Sequence, residues 1–180
     1  MPRTTERPPN IYRRVPGATH GTHVPSAIVI HCTVSPNVKG VKDVLAIPNY
    51  WKIQNKGYNA HCVIDGEGHT VKCALDNKLC WAVAGKNTGR LHIELIGYDT
   101  YTKAQWMQQE FGLKEAAKWC AYWCHRWGIP VKTSVNHGIA THAMYSAAFH
   151  VSDHTDPGKN FPWTQFMKWV AWYYHNGWVV

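Results

Sequence analysis

Residues 142–163 concentrate side chains that bind metals or transfer protons. The run HAMYSAAFHVSDHTDPGKNFPW contains several imidazoles and carboxylates close together. Pro157 and Gly158 predict a turn directly after Asp156, because proline fixes φ and glycine tolerates backbone conformations that other residues avoid. A carboxylate held outside regular secondary structure is suited to a cation. We therefore interpret this segment as half of a metal site.

The remaining ligand is expected from another part of the chain. His31 ends the hydrophobic run AIVI, which predicts a buried strand over residues 27–31. Catalytic zinc usually has three protein ligands and leaves a fourth position for water. His31, His142 and Asp156 form such a set. His137 and His150 lie near His142 in sequence and remain alternatives for the middle ligand.

Glu94 interrupts a strand predicted over residues 91–96 that is otherwise strongly hydrophobic. Alternation along the strand puts Ile93 and Leu95 on one face and His92 and Glu94 on the other. A salt-bridged or edge-exposed glutamate would also fit the pattern. Because glutamate is rarely buried without a partner or a task, we favour Glu94 as a group that moves a proton. His154 is suited to stabilise an oxyanion beside it.

Strands and helices alternate along the chain. Residues 60–65 and 69–74 flank the turn 66–68 and predict a β-hairpin. The spacing of valines and leucine after residue 36 predicts a short helix that is broken near Pro48. These elements indicate a sheet with helical connections.

Two further helices are predicted in the second half of the chain. Thr102 and Gln105 form a capping box that starts a helix with one apolar stripe, which ends at Gly128. A final helix starts at Pro162. Together the elements predict a single α/β domain in which helices flank a central mixed β-sheet.

The first 25 residues differ from the rest in composition. They are rich in Pro, Thr and Arg and have no hydrophobic period, so we expect residues 1–25 to form an extended arm before a domain over residues 26–180. His20 and His23 in this arm are expected to be solvated. No apolar run approaches the roughly 20 residues of a membrane span, and the start of the chain lacks a signal-peptide core.

The formal charge of +8 favours anionic partners. Nucleic acid, membrane surfaces and acidic wall polymers all fit this sign. The basic residues are dispersed and form no run of five, so nucleic acid is the weakest of these interpretations.

The six cysteines are scattered through a chain that is long enough to fold without disulfides. We expect buried free thiols. Cys120 and Cys124 are four residues apart on a predicted helix and resemble half of a zinc site, but no second pair with suitable spacing accompanies them.

Several of these motifs, taken in order, resemble the type 2 N-acetylmuramoyl-L-alanine amidases, which are zinc enzymes related to the peptidoglycan recognition proteins. The similarity covers residues 26–175. The form SDHTDPG followed by FPW looks most like lysins of phages that infect actinobacteria. The motifs are IVIHCT at 28–33, AHCVID at 60–65, IELIG at 93–97, THA at 141–143, HTDPG at 154–158 and FPW at 161–163.

This resemblance implies specific roles for the candidate residues. His31, His142 and Asp156 would bind Zn²⁺, and Glu94 would be the general base. His154 stands where many relatives have lysine, which is fully charged at neutral pH, whereas histidine is only partly charged. Residues 81–87 resemble the substrate-groove loop of the family, and His61 would pack beneath the cleft.

The implied function is that of a phage endolysin, a zinc amidase that cleaves the amide between N-acetylmuramic acid and L-alanine in bacterial peptidoglycan. We expect a monomer that stays in the host cytoplasm until lysis, with anionic wall polymers as further partners and no nucleic acid. A recognition module that binds peptidoglycan without cutting it is the main alternative. A basic nucleic-acid binder is a second alternative, favoured only by charge.

Overall fold

The computed structural model describes Pro8, residues 11–12, residues 19–36 and residues 41–177. The strands are β1 (Ile11–Tyr12), β2 (Ala27–Cys32), β3 (Cys62–Ile64), β4 (Thr70–Lys72), β5 (Arg90–Leu95) and β6 (Ile139–Thr141). The helices are α1 (Val41–Gln54), α2 (Lys103–Met107), α3 (Glu110–Trp127), α4 (His142–Phe149) and α5 (Trp163–Asn176).

The six strands form one sheet in the order β1-β4-β3-β5-β2-β6. β3 and β4 are antiparallel, and the other neighbouring strands are parallel. The predicted mixed sheet and hairpin are therefore confirmed, although the hairpin strands are shorter than expected. β1 comes from the segment that we expected to be an extended arm, and it pairs with β4 at the edge of the sheet.

Alternation along the central strands directs side chains into two layers. Ile28 and Ile30 face a large core built with α3 and α5, whose members include Trp119, Trp123 and Phe166. Val29 lies between these two residues in β2, so its side chain points to the opposite face of the sheet, where it packs with Tyr145 of α4. Helices therefore cover both faces, as expected for a sheet whose strands are mostly parallel.

Two helices differ from their predicted extents. α1 continues through Pro48 and does not break there. Val44 is buried in a small core that Leu45 and Trp51 pack against, and this contact with the sheet offsets the backbone hydrogen bond that proline cannot make. The capping box at Thr102 is present, but it starts only the short helix α2.

α3 is a separate helix that begins at Glu110, after a break at residues 108–109. It ends as predicted, with Gly128 in the left-handed conformation. A Cβ atom on Gly112 would collide with the backbone oxygen of Asp65, so α3 lies directly on the hairpin turn. This close approach needs glycine.

The strand β6 and the helix α4 were not predicted. Both are very short, and three residues of strand leave little periodicity to read. Thr141 accepts a hydrogen bond from the backbone N–H of Met144 and caps α4, so His142 is the first residue of that helix.

His20 and His23 are not solvated, contrary to expectation. The His20 ring stacks on Trp81 with 3.4 Å between centroids and donates through Nε2 to the carbonyl of Gly57. His23 accepts from the backbone N–H of Gly89 and donates to the carbonyl of Asp76. Backbone groups left open by the neighbouring loops account for these contacts, and a single-sequence pattern does not reveal them.

All six cysteines are buried thiols that form no disulfide, as predicted. Burial raises the pKa of the Cys80 and Cys124 thiols to about 12, so these groups stay protonated and pack as small apolar side chains. Among the residues that the structure describes, none of the helices is both long enough and apolar enough to cross a membrane.

Candidate metal centre and groove

The central strands place a histidine and a glutamate side by side. β2 and β5 are parallel, and their register pairs His31 with Glu94. Both positions belong to the sheet face that carries Val29. His31 is 1% exposed, and it lies near the carboxyl end of β2, where the groove opens.

Three side chains converge at this point. Nδ1 of His31 is 3.1 Å from Nδ1 of His142, and it is 3.2 Å from Oδ2 of Asp156. Nδ1 of His142 is 3.1 Å from Oδ1 of Asp156. Ligand bonds of about 2.0 Å in a tetrahedral zinc site put neighbouring ligand atoms about 3.3 Å apart. The observed separations therefore fit three corners of such a site.

The donor set supports the same conclusion. When each ring carries its proton on Nε2, the two Nδ1 atoms present lone pairs that one cation between them can use. One carboxylate beside two imidazoles is a common catalytic zinc set. The three residues thus fit a divalent metal by geometry and by chemistry.

His142, and not His137 or His150, is the histidine that meets His31 and Asp156. His137 is exposed in the loop before β6, where its Nδ1 contacts the carbonyl of Ser26. His150 is exposed at the C-terminal end of α4. The structure therefore brings together the set proposed from the sequence.

The loop that carries Asp156 is anchored on both sides. The backbone N–H of Ala143 donates to the carbonyl of Asp156 at 3.0 Å, which ties the two ligand segments together. The Thr155 hydroxyl donates to the carboxylate of Asp99 at 2.9 Å. Gly158 has φ of 93° and lies so close to the Asp99 backbone that a Cβ atom would collide with it.

Burial and hydrogen bonds shift the pKa values of two groups in this cluster. Burial raises the pKa of Asp156, but hydrogen bonds from His142 and His31 outweigh that effect and hold it well below its usual range. Burial lowers the pKa of His31, and the hydrogen bond with Asp156 opposes that shift only in part. Asp156 is therefore ionised and His31 tends to be neutral, which are the states that bind a metal.

Glu94 lies beside the cluster in a poorly hydrated position. Its Oε2 atom is buried and has no hydrogen-bond partner among the described residues. Burial raises the pKa of Glu94 well above its usual value, and the negative charge of Asp156 raises it further. A carboxyl group with a raised pKa is suited to both accept and donate a proton near neutral pH.

His154 lies at the rim of the cluster. Its ring stacks on His142 with 4.4 Å between centroids, and its Nδ1 is 3.4 Å from Oδ1 of Asp156. The side chain is 60% exposed. It is therefore placed to reach a ligand in the groove from the solvent side.

A groove of about 790 Å³ opens over these residues. Glu94, His142 and His154 line it together with the exposed aromatic rings of Tyr58 and Trp81. Its volume is in the range of small-molecule sites. A carboxylate, imidazoles and aromatic faces in one groove are suited to a polar substrate with amide or sugar groups.

Asn87 shapes this groove in a way that the sequence did not predict. It was included in the segment that resembles the substrate-groove loop, but without a role of its own. Its Oδ1 accepts hydrogen bonds from the backbone N–H groups of Ala82 and Val83 at 2.9 and 2.7 Å. It therefore fixes the loop that forms one groove wall. An asparagine that closes a Gly-containing loop is the only sequence signal for this role.

A second cluster of potential metal ligands lies in the hairpin turn, at Asp65, Glu67 and His69. Asp65 is already engaged there. Its Oδ1 accepts from the backbone N–H groups of Glu67 and His69, and its Oδ2 is 2.8 Å from Nδ1 of His69. These contacts are those of an ordinary turn stabilised by aspartate.

Comparison with known proteins agrees with this site. The sequence model of the N-acetylmuramoyl-L-alanine amidases matches residues 21–159. The chain belongs to this family. The match includes His31, Glu94, His142 and Asp156, so the enzyme is an N-acetylmuramoyl-L-alanine amidase of a family that acts on peptidoglycan. No curated protein matches the amidase closely enough to count as a relative.

Solved structures show the same fold. The Staphylococcus aureus hydrolase AmiA, solved with its ligand, superposes with a TM-score of 0.72 at 18% identity, covering 94% of this chain and 84% of that one. An endolysin amidase from Clostridium intestinale gives a TM-score of 0.67 at 16% identity, with coverages of 91% and 96%. An AmpD derivative gives 0.65 at 22% identity, with coverages of 94% and 99%.

Proposed function

We propose that this amidase is a zinc-dependent endolysin that hydrolyses the amide between the lactyl group of N-acetylmuramic acid and the first L-alanine of the stem peptide. The observation that carries the proposal is the convergence of His31, His142 and Asp156 beside Glu94 in one groove. The family match supplies the reaction class.

His31 and His142 would hold the zinc through their Nδ1 atoms, and Asp156 would hold it through a carboxylate oxygen. Bound there, zinc would polarise the scissile carbonyl and acidify the attacking water. The protein orients the ligands beforehand, because the strand register and the anchored loop fix both halves of the site.

Glu94 moves the proton in this mechanism. Its carboxylate accepts a proton from the attacking water and then delivers it to the nitrogen of the leaving L-alanine. The raised pKa of Glu94 favours this role, because its carboxylate holds the proton taken from water more readily than an ordinary glutamate does.

His154 would donate a hydrogen bond to the oxyanion that develops on the scissile carbonyl. Replacing it with alanine is expected to lower kcat by about 10²–10³-fold, the usual cost of losing one such donor. Zinc content should not change. The His154→Lys variant restores a cationic donor and should recover much of the activity. Loss of zinc in His154→Ala would instead indicate that His154 binds the metal.

The endolysin role concerns where the amidase acts. One of the solved neighbours is itself an endolysin amidase, which supports this role by analogy of fold. The amidase would wait as a monomer in the host cytoplasm and reach the wall at lysis. Its charge of +8 would keep it close to anionic wall polymers.

Zinc content and hydrolysis test the proposal together. The purified protein is expected to contain about one zinc per chain and to release free L-alanine amino groups from purified cell walls. A chelator should stop the release, and added Zn²⁺ should restore it. Single alanine variants of His31, His142 and Asp156 should lose both zinc and activity.

His69→Ala is the matched control, because it removes a histidine from the other cluster of potential ligands. It should retain zinc and activity. Wall binding without release of amino groups would contradict the proposal and would favour a non-catalytic recognition module. Full activity in the presence of a chelator would exclude the zinc mechanism.

A further inference from the structure

The second ring nitrogen of His31 has a partner that the reaction does not use. Nδ1 of His31 faces His142 and Asp156, so Nε2 points away from the cluster. There Nε2 lies 3.2 Å from Nδ1 of His92. His92 is fully buried in β5, two residues before Glu94 and on the same sheet face.

Binding a metal through Nδ1 fixes the proton of His31. A neutral imidazole has one N–H group, and a nitrogen that binds a metal cannot carry it. The proton must therefore reside on Nε2, which then needs an acceptor. Among the described side chains, His92 is the one with an acceptor at hydrogen-bonding distance from this atom.

The surroundings hold His92 in place for this contact. Its backbone N–H donates to Nδ1 of His61 at 3.1 Å, and Nε2 of His61 donates to the carbonyl of Lys78 at 2.9 Å. β2 carries both Val29 and His31. Val29 pairs in register with His92, and this pairing sets the distance of His92 from β2. The ring therefore has a defined position beneath the metal site.

The other nitrogen of His92 indicates that the ring is not there for stability. Its Nε2 is buried and has no hydrogen-bond partner among the described residues. A buried polar atom without a partner costs free energy that an apolar ring of the same shape would avoid. A phenylalanine would fill the space without that cost, so a polar ring at this position calls for a further reason.

We propose that His92 is a positioning residue, which accepts the Nε2–H of His31 and so directs Nδ1 of His31 to the metal. The inference rests on the proposed zinc site and deepens it. Partners of this kind orient ligand histidines and raise their basicity, and removing one typically weakens metal binding by 10–100-fold.

Zinc affinity, measured by competition with a chelating dye, tests the inference without using catalysis. His92→Phe keeps a ring but removes the acceptor, and it should bind zinc about 10–100-fold more weakly than the wild type. His92→Asn places a carboxamide oxygen where Nδ1 was, and it should bind within a few-fold of the wild type.

Thermal unfolding of the metal-free proteins separates positioning from a structural role. The midpoint for His92→Phe should equal or exceed that of the wild type, because the unpartnered Nε2 atom is gone. In the zinc-loaded wild type, ¹⁵N NMR should show His31 protonated at Nε2 and His92 unprotonated at Nδ1.

Equal zinc affinities for His92→Phe and the wild type would overturn the inference, and so would equal losses in His92→Phe and His92→Asn. If His92→Phe does not fold, His92→Leu replaces it, and equal affinities of the Leu and Asn variants would have the same meaning. Undiminished zinc binding by His31→Ala would instead show that the proposed metal site itself is wrong.

Discussion

Replacing Glu94 with glutamine is expected to lower kcat by about 10²–10⁴-fold, which is the usual contribution of a general base. Glutamine keeps the shape of the side chain but cannot take a proton from the attacking water. Zinc content should stay the same, because Glu94 is not one of the three residues proposed to bind the metal. Steady-state kinetics on a soluble muramyl peptide, with metal analysis of the same samples, measures both quantities.

The same variant should be more stable than the wild type when both are metal-free at pH 7. Because burial raises the pKa of Glu94, the folded state holds the proton more tightly than the unfolded chain does. The free energy of unfolding therefore falls as pH rises from the pKa of Glu94 in the unfolded chain towards its pKa in the folded protein. Glutamine does not titrate, so the variant does not lose this stability. Urea unfolding in the presence of a chelator measures the difference.

Glu115→Gln is the matched control for Glu94→Gln. Glu115 is also a buried carboxylate with a pKa raised by burial, but it belongs to α3, on the far side of the sheet from the groove, and pairs with Lys118. Its replacement should leave kcat unchanged. A large loss of activity in Glu115→Gln, or an active Glu94→Gln enzyme, would contradict the assignment of Glu94 as the base.

The metal-free protein is expected to lose stability steeply as pH falls below about 6.5, the usual value for histidine. Burial lowers the pKa of His61 well below that value, so the folded state keeps the ring neutral. Below about pH 6.5 the unfolded chain takes up a proton on His61 that the folded protein does not. The free energy of unfolding therefore decreases as the pH falls below that value. Each such group contributes about 1.4 kcal/mol per pH unit.

Urea unfolding at pH 7.5 and pH 5.5 tests this expectation. His61→Asn should reduce the difference in unfolding free energy between the two conditions by about 1.4 kcal/mol, although it lowers stability at both. Val63→Ala removes buried volume without removing a titrating group, so it should lower stability equally at both pH values. An unchanged pH dependence in His61→Asn would show that His61 has the same pKa in the folded and unfolded states, contrary to the expectation.

Elements with a strong local signal could be predicted from the sequence. The apolar run before His31, the hairpin turn at residues 66–68 and the capping box at Thr102 each depend on a few adjacent residues. His31, His142 and Asp156 could be proposed as one set because they occur in ordered motifs, and the structure brings the three side chains together. Their closeness in space depends on pairing between strands that are distant in the chain, which only a known family pattern can supply.

Predictions failed or were not made for features that depend on tertiary contacts. α1 passes Pro48 because its inner face packs on the sheet, and packing overrides the local effect of proline. His20 was expected to be solvated, but its partner Trp81 lies far away in sequence. The contact between His31 and His92 has the same origin, since only the β2–β5 register reveals it.

The two halves of the proposed ligand set differ in how they are held. His31 is part of a central strand whose backbone is paired on both sides, whereas Asp156 is in a loop fixed by a few contacts with residue 99 and α4. Attempts to retune this enzyme towards another metal should therefore begin in the Asp156 loop, which is held by contacts of single residues and not by strand pairing. The strand half is the constant part around which such a library can be built.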